Sequence, residues 1–272
     1  MRDEQVLPMR FVPLDRVLPH EAIDQRRAER LHRRLTQDGY LANPPIVTEI
    51  EDGYLLLDGA TRVAALHQLE CPDVIAQVVS PEGLRVESWV HVVRQIGVGD
   101  LIDSVRGVAG ISLRPTDPAQ AADELVTHDG LCLLQTIEDE ALVVVPHHGT
   151  SRPGALTRLS QAYIGASHVT RVPEGDVAGL RVQFSDMAAL MVFPTFALSE
   201  VERVARSGER LPAGITRFIV PGRVLRLNAD LAQLKSHRPV EEKNRWLQAL
   251  LEEKREGGTI RYYAEPVYLL DE

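Results

Sequence analysis

The sequence is poor in cysteine, with only Cys71 and Cys132 among its 272 residues. Two cysteines are too few for a disulfide framework, and they lack the C-x-x-C spacing used for zinc or redox chemistry. Long apolar runs are also missing, since no segment approaches the roughly 20 residues that cross a bilayer and the first residues hold no hydrophobic signal core. We therefore expect a cytoplasmic protein that does not insert into a membrane.

Positive charge is in deficit as well. Lysine and arginine number 30 against 39 aspartates and glutamates, which gives a formal net charge of −9. A DNA-binding domain is usually basic or carries a basic face, so this balance disfavours nucleic acid as a partner. Arginines do cluster at helical spacing early in the chain, but interleaved acidic residues favour a solvated helix face. The arginines are Arg26, Arg27, Arg30, Arg33 and Arg34, and the acidic residues are Asp24, Glu29 and Asp38.

What the sequence does contain is typical of an α/β protein. Hydrophobic residues at 44% and charged residues at 25% are ordinary for a folded chain of one large domain or two that share a core. Apolar periodicity predicts the secondary structure. The predicted strands cover residues 10–13, 46–50, 54–57, 75–79, 131–136, 142–146, 215–220 and 260–270. The predicted helices cover residues 24–37, 61–69, 85–95, 161–168, 198–206 and 238–253.

The most informative stretch is a strand-turn-helix junction. A buried strand ends at Leu57, Asp58-Gly59 makes a tight turn, and Thr61-Arg62 falls in the first turn of a helix. Such a junction points backbone N–H groups and one guanidinium at a common place, which favours a phosphate. The same pattern also occurs as an ordinary junction in which Asp58 caps the helix and Arg62 is a surface residue. The residues alone leave both interpretations open.

The spacing of this junction resembles a known phosphate-binding signature. Asp58-Gly59-x-x-Arg62-x-x-Ala65 is similar to the D-G-x-x-R-x-x-A motif of the ParB/sulfiredoxin-like fold, where the junction binds nucleotide phosphates. The resemblance implies an α/β fold with a ParB/sulfiredoxin-like nucleotide-binding domain over residues 1–97. A C-terminal α/β domain over residues 98–272 would then complete the active-site cleft between the two.

Three branches of that fold must be distinguished. Sulfiredoxins carry a reactive cysteine and a histidine before the arginine, where this chain has Ala60 and Thr61, so their sulfur nucleophile is missing. ParB partition proteins add further arginine-rich motifs and a helix-turn-helix, and residues 85–272 contain neither pattern. Both branches are therefore disfavoured.

The third branch, the free L-serine kinases, is similar to this chain at several separated places in the same order. The family includes the kinase encoded with staphyloferrin-B-type siderophore synthesis, and its members convert serine to O-phosphoserine. The middle of the chain, residues 100–205, matches weakly. The matching places are residues 18–22 with Arg27 (L-H-E), 43–48 (H-P-x-x-V-T), Trp89 with His91 (W-x-H), 211–218 with Gly222-Arg223 (P-A-G-x-T-R-F and G-R), Arg245-Trp246, Tyr262 and 265–269 (E-x-V-Y-L).

This resemblance implies phosphoryl transfer from ATP or ADP to free L-serine, assisted by Mg²⁺. Glu21 would accept the proton of the serine hydroxyl, although a carboxylate at this place is also typical of a helix start stabilised by the helix dipole. Asp58 would either hold Mg²⁺ or orient the hydroxyl, since hard cations prefer oxygen ligands.

The same resemblance implies which residues bind the substrates. The backbone of Gly59, Ala60 and Thr61, together with Arg62, would bind phosphates. The compared kinases usually have histidine where Thr61 stands, and threonine cannot supply a positive charge there. Thr216 and Arg217 would form a second phosphate clamp. Trp89 and Arg223 would contact substrate beside Glu21, although Trp89 is equally typical of a core position.

Two other functions stay open at this point. One is a ParB-like nucleotide-sensing regulator that binds DNA or a protein partner and transfers nothing. The other is a kinase that acts on another small hydroxylated metabolite. The choice of ATP or ADP and the oligomeric state are open as well.

Overall fold

Short apolar runs in the first part of the chain build a five-stranded sheet that packs against two helices. The computed structural model describes residues 7–127 and 130–262. The elements are β1 (Met9–Pro13), β2 (Val17–Pro19), α1 (Gln25–Asp38), β3 (Tyr40–Leu41), β4 (Ile46–Ile50), β5 (Gly53–Asp58), α2 (Ala60–Gln68) and β6 (Asp73–Val79). The strands follow the order β1-β6-β4-β5-β2, with β1–β6 and β4–β5 antiparallel and β4–β6 and β2–β5 parallel.

The rest of the described chain contains the elements β7 (Arg85–Ser88), β8 (Val90–Arg94), α3 (Val98–Arg106), β9 (Ile111–Thr116), α4 (Ala121–Thr127), β10 (Cys132–Thr136), β11 (Ala141–Pro146), α5 (Arg152–Ile164), β12 (His168–Val172), α6 (Val177–Gln183), β13 (Met187–Val192), α7 (Leu198–Ser207), β14 (Thr216–Ile219), β15 (Ala229–Asp230), α8 (Leu231–Lys235) and α9 (Val240–Glu256). Six of these strands form an antiparallel sheet, in the order β12-β8-β13-β10-β11-β9. Two further two-stranded sheets pair β14 with β7 and β15 with β3.

Strand β5 shows how the first sheet joins two cores. Successive side chains of a strand point to opposite faces, so Leu56 packs beneath α1 and α2 whereas Leu55 and Leu57 pack in the core that includes the six-stranded sheet. All three leucines are buried. The first sheet is therefore covered on both faces, and Asp58 at the end of β5 lies beside both packed layers.

Helix α9 brings the end of the described chain back to the first sheet. It packs against β1, and its Leu247 and Leu251 are buried in the same core as Phe11. Asn244 Oδ1 accepts a hydrogen bond from the Phe11 backbone N–H at 2.8 Å, and Lys243 Nζ donates to Asp73 Oδ2 at 2.7 Å. The division predicted at residue 97 stays a prediction. Strand β8, which precedes residue 97, pairs in the second sheet, and helix α9, which follows it, packs on the first sheet.

Most predicted elements are confirmed to within a few residues, including α1, β4, β5, α2, β10, β11, α7, β14 and α9. The helix predicted over residues 85–95 is wrong, because β7 and β8 occupy this segment. Val92 and Val93 on β8 are both fully buried. A strand covered on both faces has apolar residues at successive positions, and this imitates the spacing of a buried helix.

Two further elements differ from their predictions. The helix predicted over residues 161–168 begins earlier, at Arg152, because the Ser151 side chain caps it and Pro153 occupies the first turn. Residues from His168 onward form β12 instead. Of the strand predicted over residues 260–270, residues 260–262 are described and have no regular structure, and the other residues, including the 265–269 motif, lie outside the described part. Among the described residues, none of the helices has the length and apolar composition that crossing a membrane requires.

Candidate active site

A cleft of about 1050 Å³ opens where β5 ends, between the first turn of α2 and one face of α1. Its walls contain both predicted carboxylates, a third carboxylate at Asp38, and six arginines. The charged side chains are Glu21, Asp38, Asp58, Arg27, Arg30, Arg34, Arg62, Arg223 and Arg226. A protein with net negative charge thus concentrates positive charge in one cleft.

The predicted strand-turn-helix junction forms one wall of this cleft. Helix α2 starts at Ala60, and Gly59 before it has φ +103° with no side chain to cap the helix. A Cβ at Gly59 would lie 2.9 Å from Pro45 Cβ and 3.0 Å from Arg62 Nε, so both space and backbone conformation favour glycine. The first N–H groups of a helix have no partner within it, and they carry partial positive charge. This wall is therefore suited to an anionic phosphate.

Asp58 is bonded by two arginines, one four residues away and the other 165 residues away along the chain. Its Oδ2 accepts hydrogen bonds from Arg62 Nη2 at 3.1 Å and from Arg223 Nη1 at 2.6 Å. Burial would raise the pKa of this carboxyl, but the charges of the two arginines outweigh burial and hold the pKa below its ordinary value. Asp58 therefore stays ionised at neutral pH.

Arg62 also fixes the neighbouring loop. Its Nη1 donates to the backbone carbonyls of Asn43 and Pro44 at 3.1 and 2.7 Å. The side chain of Arg62 is 22% exposed, whereas that of Arg223 is 42% exposed and has Asp58 as its bonded partner. Arg62 thus fixes the wall formed by the strand-turn-helix junction, and the side chain of Arg223 is the more exposed of the two.

Glu21 enters the cleft from the segment between β2 and α1. Backbone bonds hold this segment to Leu211, since Ala22 N–H donates to Leu211 O and Leu211 N–H donates to His20 O, each at 2.8 Å. The Glu21 Oε2 atom accepts a hydrogen bond from Gly214 N–H at 3.3 Å. Burial raises the pKa of Glu21 above its ordinary value of 4.5; the Gly214 N–H opposes the rise and the charge of Asp58 adds to it. A carboxyl with a raised pKa binds a proton more readily than an ordinary carboxyl, a property that favours a role in proton transfer.

His20, directly before Glu21, is buried and uses both ring nitrogens. Nδ1 lies 2.7 Å from Leu56 O and Nε2 lies 2.8 Å from Thr216 Oγ1. A carbonyl oxygen only accepts, so Nδ1 carries the proton and Nε2 accepts from the Thr216 hydroxyl. Burial lowers the pKa of His20 to about 4, which keeps the ring neutral. The Thr216 hydroxyl therefore donates its one proton to His20 and has no further proton to donate to a ligand.

The structure brings most of the predicted site residues together. Those that line the cleft are Glu21, Asp58, Gly59, Ala60, Thr61, Arg62 and Arg223.

Three predicted site residues do not line it. Thr216 donates to His20, and Arg217 Nη1 pairs with Glu87 Oε2 at 2.8 Å while its guanidinium lies 5.0 Å from the centre of the Trp89 ring. The phosphate clamp of Thr216 and Arg217 and the substrate contact of Trp89 stay predictions, and these three side chains lie outside the set that lines the cleft.

Sequence reasoning missed the arginines of α1. Arg27, Arg30 and Arg34 line the cleft, whereas Arg26 and Arg33 of the same helix do not. The signal was present in their spacing, because positions i, i+3 and i+7 share one helix face. All five arginines are exposed, so the interpretation as a solvated face holds, and three of them also line the cleft.

Comparison with known proteins confirms the predicted resemblance to the free serine kinases, although no protein-family model matches the chain. The chain is 26% identical over 265 residues to the ATP-dependent L-serine kinase SbnI of Staphylococcus aureus, an alignment that covers 97% of each protein. It is 28% identical over 119 residues to the ADP-dependent L-serine kinase SerK of Thermococcus kodakarensis, covering 42% of this chain and 47% of that one.

Solved structures show the same fold. The C-terminally truncated SbnI of Staphylococcus aureus matches with a TM-score of 0.73 and 24% identity, covering 90% of this chain and 97% of that one. A free serine kinase in complex with AMP matches with a TM-score of 0.71 and 16% identity, covering 85% of this chain and 95% of that one. The α/β architecture of this chain is therefore shared with that of these proteins along most of its length.

Proposed function

We propose that this protein is a kinase that transfers the terminal phosphoryl group of an adenine nucleotide to the hydroxyl of free L-serine, giving O-phospho-L-serine. The observation that carries the proposal is a single arginine-rich cleft in which Glu21 has a raised pKa and Asp58 stays ionised. Similarity to an ATP-dependent L-serine kinase over 97% of the chain supports the same activity. We place the reaction in the cytoplasm, as the sequence composition predicts.

In the proposed reaction, Glu21 accepts the proton of the serine hydroxyl. The hydroxyl oxygen forms a bond to the terminal phosphorus as the bond from that phosphorus to the bridging oxygen of the nucleotide breaks, and the shortened nucleotide leaves. Phosphoryl transfer depends mainly on positioning and on neutralising charge, so one carboxylate to orient the nucleophile suffices. The raised pKa of Glu21 makes it the better proton acceptor of the two carboxylates.

Two sides of the cleft offer hydrogen-bond donors to the nucleotide phosphates. The start of α2 offers backbone N–H groups at Ala60 and Thr61, and Arg223 offers a guanidinium beside Asp58. The arginine face of α1 forms a second positive surface. We propose that the polyphosphate lies between them, so that its charge is neutralised on both sides.

Mg²⁺ fits this cleft only as a metal shared with the nucleotide. Within the described residues, no three His, Cys, Asp or Glu side chains are grouped to hold a metal by themselves. Mg²⁺ is commonly held by one or two carboxylates together with substrate phosphates, and Asp58 is a carboxylate of the required kind. Both arginine contacts of Asp58 are made to Oδ2. When bound, the ion would add positive charge at the transferring phosphate.

The activity is tested directly by product analysis. Purified protein is incubated with Mg²⁺, either ATP or ADP, and one of L-serine, D-serine, L-threonine or L-homoserine, and products are identified by mass spectrometry. We expect O-phospho-L-serine from L-serine with at least one nucleotide. Phosphorylation of another acceptor in preference to L-serine would favour a kinase of a different hydroxylated metabolite, and no phosphorylated product would contradict the proposal.

A further inference from the structure

We infer that His91 and Tyr163 are positioning residues that hold the Gly214 backbone in place beneath Glu21. The inference rests on the proposed function, because it assigns the groups that orient the base of the proposed reaction. His91 lies on β8 of the second sheet and Tyr163 on α5; neither lines the cleft, and both are fully buried.

A chain of three hydrogen bonds joins this buried pair to Glu21. The Tyr163 hydroxyl, on α5, lies 2.6 Å from Nδ1 of His91, on β8. His91 Nε2 lies 2.8 Å from the carbonyl oxygen of Gly214. The N–H of Gly214 donates in turn to Glu21 Oε2 at 3.3 Å. Gly214 is thus held through its carbonyl on one side and contacts the carboxylate through its N–H on the other.

The direction of each hydrogen bond follows from the acceptors available. The Gly214 carbonyl only accepts, so His91 Nε2 must carry the ring proton and donate. Nδ1 of the neutral ring is then an acceptor, and the Tyr163 hydroxyl donates to it. Burial lowers the pKa of His91 to about 4 and raises that of Tyr163, so both stay neutral as this arrangement requires. Tyr163 therefore selects the tautomer that holds Gly214.

Gly214 depends on hydrogen bonds to hold its conformation, because glycine has access to more backbone conformations than any other residue. Its φ is +79°, and a Cβ would lie 2.2 Å from the Arg171 guanidinium, so a larger residue would be strained there and would displace that guanidinium. Backbone bonds fix the chain at Leu211 before it and at Ile215 after it, where Trp89 N–H donates to Ile215 O at 2.8 Å. Between these two points, Arg171 Nη2 donates to the Ala213 carbonyl at 3.1 Å, and His91 donates to the Gly214 carbonyl at 2.8 Å.

The contact matters for Glu21 because its N–H donor favours the ionised carboxylate. Three charged side chains from different elements act on Glu21: Asp58 at the end of β5 opposes ionisation, whereas Arg171 on β12 and Arg27 on α1 favour it. Loss of the Gly214 donor leaves burial and Asp58 less opposed, so Glu21 would hold its proton to higher pH and point less accurately at the serine hydroxyl.

Two substitutions at His91 form a matched pair, because each keeps one of its hydrogen bonds and loses the other. The amide nitrogen of His91→Gln stands where Nε2 stood and can donate to Gly214. The amide of His91→Asn reaches only the position of Nδ1 and can accept from Tyr163. We expect kcat within about threefold of the parental value for His91→Gln and a loss of roughly 10- to 100-fold for His91→Asn, with an unchanged nucleotide KM. The acid limb of the pH profile of kcat should move to higher pH in His91→Asn only.

Equal kcat values and equal acid limbs in the two variants would overturn the inference, because a purely structural pair affects both alike. Unfolding by urea, measured for each variant, corrects kcat for any unfolded fraction. If His91→Asn does not fold, Tyr163→Phe replaces it, since it leaves the ring free to take the other tautomer. The same movement of the acid limb is then expected, and an unmoved limb overturns the inference.

A second readout does not depend on catalysis. The Glu21 carboxyl resonance is assigned in ¹³C-labelled protein by its loss in Glu21→Gln and titrated in the parental protein and the His91 variants. Its pKa should rise in His91→Asn and not in His91→Gln. If the parental protein makes no phosphoserine, the proposed function fails while this titration still decides the positioning role. An unchanged Glu21 pKa in His91→Asn would overturn the inference.

Discussion

At the residue scale, Glu21 and Asp58 show how two carboxylates in one cleft acquire different properties. Burial raises the pKa of either group, but only Asp58 has two guanidinium groups within hydrogen-bonding distance. Glu21 has one backbone N–H instead. The two pKa values are therefore displaced in opposite directions, as expected if Glu21 is the proposed proton acceptor and Asp58 a permanently charged group.

The raised pKa of Glu21 predicts the pH dependence of turnover. The base accepts a proton only when ionised, so kcat should fall as the pH decreases through the pKa of Glu21, which lies above 4.5. Arg27→Ala removes a positive charge that favours the ionised form, and it should move this limb to higher pH. The measurement is kcat at saturating nucleotide and serine between about pH 4 and pH 8. A limb at or below 4.5, or one unmoved by Arg27→Ala, would contradict the assignment.

The residues of the strand-turn-helix wall of the cleft were predictable from sequence because they are close together along the chain. Asp58, Gly59 and Arg62 fall within one turn, so local spacing brings them together. The partners of Thr216 were not predictable. Its hydroxyl donates to His20, which is 196 residues earlier, and only the folded chain places the two side chains together.

At the element scale, the boundaries of α1 were predictable but its orientation was not. Asp24 accepts hydrogen bonds from Arg26 N–H and Arg27 N–H, and Gly39 ends the helix in the left-handed conformation. Both are helix-end signals readable in a sequence. Which arginines line the cleft depends on how α1 packs against α2, a contact between residues far apart in the chain.

Two double substitutions on α1 test the role of its arginine face. Arg27→Ala/Arg30→Ala removes two charges from the cleft, and Arg26→Ala/Arg33→Ala removes the same charge from outside it. At roughly 0.5–1 kcal/mol for each partly exposed contact, the first pair should weaken nucleotide affinity about 5- to 30-fold. The second pair should change affinity by less than about twofold. Calorimetry with ATP and ADP measures both, and equal losses from the two pairs would show that only overall charge matters.

At the scale of the whole molecule, the chain crosses between its two sheets more than once. Strand β8 joins the second sheet early, and α9 returns to the first sheet at the end of the described chain. The Glu21 segment is bonded to Leu211, so a carboxylate from one end of the sequence depends on a segment from the other. The cleft and its supports therefore combine residues from both sides of the predicted division at residue 97. Periodicity in the sequence predicts single elements, and it contains no information on which distant elements meet.

The ion pair of Lys243 and Asp73 tests whether α9 is essential to the first sheet. Lys243 is fully buried on α9, and Asp73 begins β6. Lys243→Ala leaves a buried carboxylate without its partner, so the free energy of unfolding should fall by about 3–5 kcal/mol. Arg255→Ala on the same helix removes a surface pair with Glu252 and should cost less than about 1 kcal/mol. Urea unfolding measures both, and a loss for Lys243→Ala no larger than the control would show that α9 is a dispensable attachment.

We propose Glu21 as the base of a serine kinase whose nucleotide site is formed by other residues. Glu21→Gln isolates this role, because the amide keeps the size of the side chain and loses the ability to accept the proton. The rate of phosphoserine formation should fall about 10²- to 10⁴-fold, while calorimetry shows nucleotide affinity within about twofold of the parental value. A folded Glu21→Gln protein that phosphorylates serine at nearly the parental rate would remove Glu21 from the reaction, and the chain would then share a fold with the kinases without their chemistry.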